Sequence, residues 1–238
     1  MMYGRRESGT LRVAEIYKSV QGEGFLTGTE SVFVRATGCN LRCWFCDTPY
    51  ASWNPEGDDL SVEDVVEQVT GFSCRHIVLT GGEPMLFAEM IPLCHALRAG
   101  GWHITIETAG TLYLPLDCDL MSISPKLSNA SPNGKASTHW SVRHDRARHA
   151  PDVVRRLVAE YEYQFKFVVG QRRDCDEVLG YLDQFPEIDR ARVMLMPLGT
   201  TVEELTRVGS WLETACRELR LGYCPRRQIE WFGLERGT

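Results

Sequence analysis

Long apolar runs are missing from this chain. No stretch approaches the ~18 consecutive apolar residues that a membrane-spanning helix requires, and the start, MMYGRRESGTLRVAEIYKSVQGEGF, has no apolar segment of the kind an export signal uses. A cytoplasmic protein with no membrane contact is the expectation. Surplus basic charge is missing too. The 26 Lys and Arg are outnumbered by 32 Asp and Glu, a formal charge of −6, which argues against nucleic acid or an anionic membrane surface as partner. A small anionic ligand held by a few local cations stays open. There is no internal repeat and no low-complexity tract. What is there is a chain of 238 residues, 43% hydrophobic and 24% charged, the make-up of one well-filled domain spanning residues 1–238. A core of that size buries roughly 70% of the unfolded surface without staples.

The nine cysteines therefore need another explanation. An odd count in a reducing compartment does not suit a disulfide framework, and metal or redox chemistry gains weight. Cys39, Cys43 and Cys46 fall within one short row, while Cys74, Cys94, Cys118, Cys175, Cys216 and Cys224 are scattered singly. The scattered six read as small buried hydrophobes.

After residue 30, short β-rich runs alternate with longer helical stretches, the pattern of a parallel α/β sheet. Strands are expected at Ser31 to Ala36, His76 to Thr80, Trp102 to Glu107, Asp119 to Ser124, Tyr163 to Val169 and Ala191 to Met196. SVEDVVEQV opens with Ser61 and Asp64 in capping-box spacing and puts Val62, Val65, Val66 and Val69 on one face, which predicts an amphipathic helix. Further helices are expected at Phe87 to Ala99, bent or shortened by Pro92, and at Asp152 to Glu160, Asp174 to Gln184 and Val202 to Leu219. The stretch from Lys126 to Ala150 reads as a long loop or irregular cover. Six strands are too few for a closed eight-stranded barrel. The expected architecture is an incomplete, laterally open (β/α) barrel of six parallel strands, with Arg12 to Lys18 and the C-terminal tail covering the sheet edges.

The row CNLRCWFC has C-x3-C-x2-C spacing directly after the first expected strand, so three thiolates occupy the first loop at the C-terminal edge of the sheet, where barrel enzymes place their chemistry. Three close thiolates can hold three corners of a cubane iron–sulfur cluster and leave one iron open to a ligand, whereas a simple electron carrier uses four Cys. Two plainer readings compete. A structural zinc site needs a fourth ligand, Asp47 or a distant His or Cys. A dithiol pair of Cys43 and Cys46 leaves Cys39 without a role.

The cysteine spacing, with an aromatic before its last Cys, resembles the signature of the radical S-adenosylmethionine enzymes. Gly81-Gly82-Glu83-Pro84 after the next strand is similar to that superfamily's second motif. Read alone, this segment is a tight turn whose glycines permit close approach to a ligand and whose proline stiffens it. Gln21-Gly22-Glu23-Gly24, Phe33-Val34-Arg35, Gly38-Cys39, Cys46-Asp47-Thr48, Trp53, Thr80, Glu107-Thr108 and Ser124-Pro125-Lys126 extend the resemblance over nearly the whole chain to one family, the 7-carboxy-7-deazaguanine synthases of queuosine and 7-deazapurine biosynthesis.

That resemblance implies a lyase that rearranges 6-carboxy-5,6,7,8-tetrahydropterin to 7-carboxy-7-deazaguanine with loss of ammonia. It implies a [4Fe-4S] cluster on Cys39, Cys43 and Cys46 and S-adenosylmethionine against Phe45, Cys46, Asp47, Gly82, Ser124, Pro125 and Lys126. Reductive cleavage of that cofactor would give a radical that abstracts hydrogen from the pterin, with the cofactor regenerated. Thr48 would bind Mg2+; outside the family context it reads as a cap before Pro49. Val20, Gln21, Gly22, Arg35 and Thr80 would bind substrate, with residues 1–30 as a substrate-binding segment. Glu23 and Glu107 are further carboxylates for pterin nitrogens or structure. A flavodoxin- or ferredoxin-like electron donor and a homodimer are expected. The chain departs from the family in its tail, residues 220–238. Gln228 stands where a His is expected and Leu234 where an Asn is expected, which puts in question any acid–base role there and any substrate contact through Thr238. The competing functions are an activase that makes a glycyl radical on a partner protein, and a non-catalytic zinc or iron–sulfur interaction protein.

Overall fold

A computed structural model describes residues 9–132 and 134–238; the start of the N-terminal segment, residues 1–8, lies outside the described residues. The chain runs β1 (Thr10–Val20), β2 (Glu30–Ala36), α1 (Pro49–Ser52), β3 (Asp58–Ser61), α2 (Val62–Thr70), β4 (His76–Gly81), α3 (Met90–Ala99), β5 (His103–Thr108), β6 (Leu120–Ile123), α4 (Thr138–Ala147), α5 (Pro151–Glu160), β7 (Tyr163–Val169), α6 (Arg172–Asp183), β8 (Val193–Pro197), α7 (Val202–Leu219), β9 (Gly222–Tyr223) and α8 (Arg227–Phe232). One sheet carries all the strands in the order β3-β1-β2-β4-β5-β6-β7-β8-β9. From β2 to β8 every pairing is parallel, and the order does not close on itself. The expected open six-stranded parallel barrel is present.

Its edges differ from expectation in kind. The segment around Arg12 to Lys18 is a full strand, β1, antiparallel to β2 and in turn paired with β3. The short β9 adds a parallel pairing beyond β8. The stretch from Lys126 to Ala150 is not all loop: it holds the ten-residue α4, whose N-cap Ser137 accepts from the Trp140 amide. Its Ser, Arg and His content hid a helix whose inner face is anchored by Trp140, His144 and Ala147 instead of by aliphatic side chains.

Strand periodicity sets what faces where. On β7, Tyr163, Phe165, Phe167 and Val169 pack in the main core, while Val168 belongs to a separate apolar cluster with Met194 and Met196 of β8. The same alternation puts Ile77 and Leu79 of β4, Ile104 and Ile106 of β5 and Met121 and Ile123 of β6 into the main core. The intervening Thr80, Glu107, Ser122 and Lys166 line the interior of the open barrel. Helix ends follow local chemistry. Ser61 and Asp64 form the predicted capping box of α2, each amide donating to the other side chain at 3.1 Å. Pro92 sits in the first turn of α3, where its missing N–H costs no helical hydrogen bond, and the helix runs Met90–Ala99, shorter than the expected Phe87 to Ala99.

Candidate active site

At the C-terminal ends of the parallel strands lies a cavity of about 280 Å³. Its wall includes Cys39, Cys43, Phe45, Cys46, Asp47 and Thr48 from the loop after β2, and Gly82 after β4. Ser124 and Lys126 follow β6, and Val20, Gln21, Gly22, Arg35 and Thr80 complete the set. Of the residues expected to touch cluster, cofactor, Mg2+ or substrate, Pro125 alone is not in the lining; it is buried between Ser124 and Lys126.

The three loop thiols are free. Burial pushes Cys39 and Cys43 up to about 12, opposed for Cys39 by the Leu41 amide and for Cys43 by Lys126. Thiols in such a setting ionise only against a strong local cation. Among the described residues no three His, Cys, Asp or Glu side chains are grouped as a single-ion site, and the loop supplies three thiols where a structural zinc site takes four ligands. The chemistry of the donor set, three thiols in one loop, fits a cubane iron–sulfur cluster that leaves one iron without a protein ligand.

The loop is braced from outside. Trp53 Nε1 donates to the Cys43 carbonyl at 3.0 Å, Trp44 Nε1 to the Asn129 carbonyl at 2.7 Å, and the Arg42 amide to His144 Nδ1 at 3.0 Å. Gly82 meets the loop from the other side. A Cβ there would lie 2.2 Å from the Gly38 carbonyl oxygen and 2.5 Å from that of Ala51, so close packing on the cysteine loop alone demands glycine. Glu83 is fully buried and accepts from the Met85 amide, Thr108 Oγ1 and the Ala109 amide at 3.2, 2.8 and 2.9 Å. Burial raises its pKa against those donors. Thr48 occupies the N-cap position of α1 but makes no side-chain cap bond.

The opposite wall is a network of buried charge. Lys166 Nζ donates to Glu23 Oε2 at 2.9 Å and to Glu107 Oε1 at 3.2 Å. Arg226 Nε reaches Glu23 Oε1 at 3.1 Å, its Nη1 the Gly199 carbonyl at 2.8 Å, and its Nη2 Asp47. Gln228 Nε2 donates to Glu23 Oε1 at 2.6 Å. Burial alone would raise Glu23, but Lys166 and Arg226 hold it far below the usual carboxylate range. Burial would lower Lys166, but Glu107 and Glu23 keep it protonated and raise it above its ordinary value. Glu107 also accepts from Thr80 Oγ1 at 2.9 Å and Gln21 Nε2 at 3.4 Å.

Arg35 lies in the cavity wall with a partner that was not anticipated. The β1–β2 register sets Glu15 across from it; its Nε donates to Glu15 Oε1 at 2.6 Å and its Nη2 to the Tyr17 hydroxyl at 2.8 Å. Asp47, expected against S-adenosylmethionine, is engaged by Arg226. Lys166 and Arg226 were not singled out from sequence. For Lys166 the available signal was the row YQFKFVV, where Tyr163, Phe165, Phe167 and Val169 make one strand face apolar and Gln164 and Lys166 fall together on the other. Of the six scattered cysteines, Cys94, Cys175 and Cys216 are buried and Cys74 and Cys118 partly so. Cys224 is buried too, but it accepts the Gly24 amide at 3.1 Å beside the charged network.

An iron–sulfur-competent loop at the open mouth of a partial barrel defines a radical S-adenosylmethionine enzyme, and the Radical SAM superfamily model matches residues 33–162. A 7-carboxy-7-deazaguanine synthase from Rhodopirellula baltica is 44% identical over 235 residues, covering 98% of this chain and 91% of that protein. One from Halobacterium salinarum is 39% identical over 229 residues, covering 92% and 89%. The crystal structure of QueE from Escherichia coli superposes with a TM-score of 0.68 at 22% identity, covering 91% of this chain and 93% of that one, which shows the shared fold. The chain belongs to the 7-carboxy-7-deazaguanine synthase family of radical S-adenosylmethionine lyases. No helix among the described residues is long and apolar enough to cross a membrane.

Proposed function

We propose that the cavity converts 6-carboxy-5,6,7,8-tetrahydropterin to 7-carboxy-7-deazaguanine with loss of ammonia. The observation that carries this reading is the meeting, in one cavity, of the thiol loop with a self-neutralised polar wall from the QGEG segment, β5, β7 and the tail. Cys39, Cys43 and Cys46 would hold a [4Fe-4S] cluster, with S-adenosylmethionine beside Phe45, Cys46, Asp47, Gly82, Ser124 and Lys126, and Pro125 buried between the last two. Together these groups supply one-electron reductive cleavage and hydrogen abstraction.

This chain's residues orient and shield. Glu107 accepts from both Thr80 and Gln21, so it fixes the Thr80 hydroxyl with its lone pairs left for substrate. Gln21 Oε1 accepts the Glu23 amide at 3.1 Å, which holds the Val20-Gln21-Gly22 turn as a recognition edge. Arg35 Nη1 makes no bond to a described residue and can meet a substrate carboxylate while Glu15 holds the other side of the guanidinium. Gln228 Oε1 is buried without a partner and suits a pterin N–H donor. The tail residues up to Thr238 line the same cavity and exclude water.

Thr48, a hydroxyl with no capping duty, suits a Mg2+ ligand, with water and substrate supplying the other oxygens. A homodimer and a flavodoxin- or ferredoxin-like donor in the cytoplasm complete the proposal. The test is an anaerobic assay of reconstituted protein with reductant, Mg2+, S-adenosylmethionine and 6-carboxytetrahydropterin. Cofactor cleavage with no deazaguanine product would sink the substrate assignment. Thr48→Ala is expected to lose Mg2+ stimulation of turnover while keeping its iron content; unchanged stimulation would remove Thr48 from the metal site.

A further inference from the structure

The outer side of the cysteine loop carries an arrangement that the chemistry inside the cavity does not use. Between Gly134 and Ala150 the chain has four Lys and Arg and one Asp, in a protein of net charge −6. Helix α4 presents His139, Val142, Arg143 and Arg146 at helical spacing on one face, all exposed, with Val142 63% exposed among the cations. Lys135, Arg143 and Arg146 make no ion pair with any described carboxylate. Lys135 Nζ lies 5.3 Å over the Trp44 ring and Arg143 4.9 Å over that of Trp140, while the buried Arg42 stacks at 3.9 Å on the same Trp140. The patch is joined to the thiols by short contacts. Arg42 and Trp44 lie between Cys39, Cys43 and Cys46 in sequence, the Arg42 amide donates to His144 of α4, and Ala147 packs against the Leu41 and Cys43 cluster.

We propose that this basic and aromatic face is the docking surface for a small acidic one-electron carrier protein. The proposal rests on the radical-enzyme reading, because such a reaction needs an electron brought from outside: one electron leaves the carrier, which is oxidised by one equivalent, and enters the cluster held by the three thiols. Three observations fit that occupant. Unneutralised cations steer an acidic partner and fix its orientation. An exposed apolar side chain at the centre of a charged rim is the build of a transient interface. The cation–π stacking keeps the guanidinium of Arg143 ordered before the partner arrives.

The test compares the parent with Arg143→Glu/Arg146→Glu and with Lys135→Gln, each checked for parent-like circular dichroism and iron content. Binding of two probes, a bacterial flavodoxin and a plant-type ferredoxin, is measured by titration calorimetry over a salt series, and S-adenosylmethionine cleavage is driven either by the reduced probe or by dithionite. The double variant is expected to bind the preferred carrier at least roughly tenfold more weakly at low salt, with a flatter salt dependence, and Lys135→Gln more modestly. Carrier-driven cleavage falls in step, while dithionite-driven cleavage stays at the parent level. Which probe binds tighter identifies the carrier class. The proposal is overturned if the parent binds neither probe, if the double variant binds as the parent does, or if dithionite-driven cleavage falls equally. A protein that docks a carrier through these residues yet forms no deazaguanine product would refute the substrate reading and leave the docking face standing.

Discussion

On the wall built by the cysteine loop, burial pushes Cys39 and Cys43 up to about 12, and the packing around them is Leu41, Ala130, Phe45, Ala109 and Ala147. Across the same cavity, Glu23 and Lys166 are just as enclosed, yet Glu23 is held far below its ordinary value and Lys166 above its own. The difference is where the compensating charge comes from. The polar wall carries it in its own sequence, from Glu23, Lys166, Glu107 and Arg226, and is complete before any ligand arrives. The thiol wall has Lys126 near Cys43, but both thiols stay raised, so the balancing charge comes with the cluster. One half is a finished hydrogen-bonding template; the other is a receptacle that its cofactor completes.

Breaking the thiol half should have the largest effect on turnover and a small one on the fold. Cys43→Ala is expected to abolish the brown colour, the iron content and product formation, while urea unfolding of the iron-free protein stays within about 1 kcal/mol of the parent. A large drop in the urea midpoint would mean that the loop, too, is completed by its own packing. Breaking the polar half should do the reverse. Lys166→Met leaves Glu23 and Glu107 buried without their shared cation, at a cost of ~3–5 kcal/mol, read as a lowered urea midpoint in protein that still takes up iron.

The mildest change sharpens the contrast. Gln228→Leu removes one hydrogen bond to the Glu23 carboxylate, worth ~1.5–3 kcal/mol, and should move the acid limb of stability. Glu23 has a depressed pKa, so its contribution is full above its unfolded value near 4.5 and is lost as pH falls through the lower folded value. Without Gln228 the folded value rises toward 4.5, and acid unfolding followed by circular dichroism should begin at higher pH. An unchanged acid limb would mean that Lys166 and Arg226 alone set the Glu23 charge.

What the sequence by itself determined is what travels with local period and spacing. The alternation of YQFKFVV and HITIET put β7 and β5 in place with their apolar faces outward to the helices, Ser61 and Asp64 started α2, and C-x3-C-x2-C after β2 located the thiol loop. Helix α4 was less legible because its buried side rests on Trp140 and His144, polar-edged side chains that do not register as an apolar stripe. Only the tertiary structure decided the charge partners. Lys166 meets Glu23 across 143 residues and Gln228 meets it across 205, while Glu15 faces Arg35 through the register of an antiparallel β1 that was read as edge cover. A buried charge needs a counter-charge somewhere, but Coulomb attraction acts through space and leaves no periodic mark in the chain. The sequence could therefore name the groups that react, and the fold alone could say which of them are already neutralised.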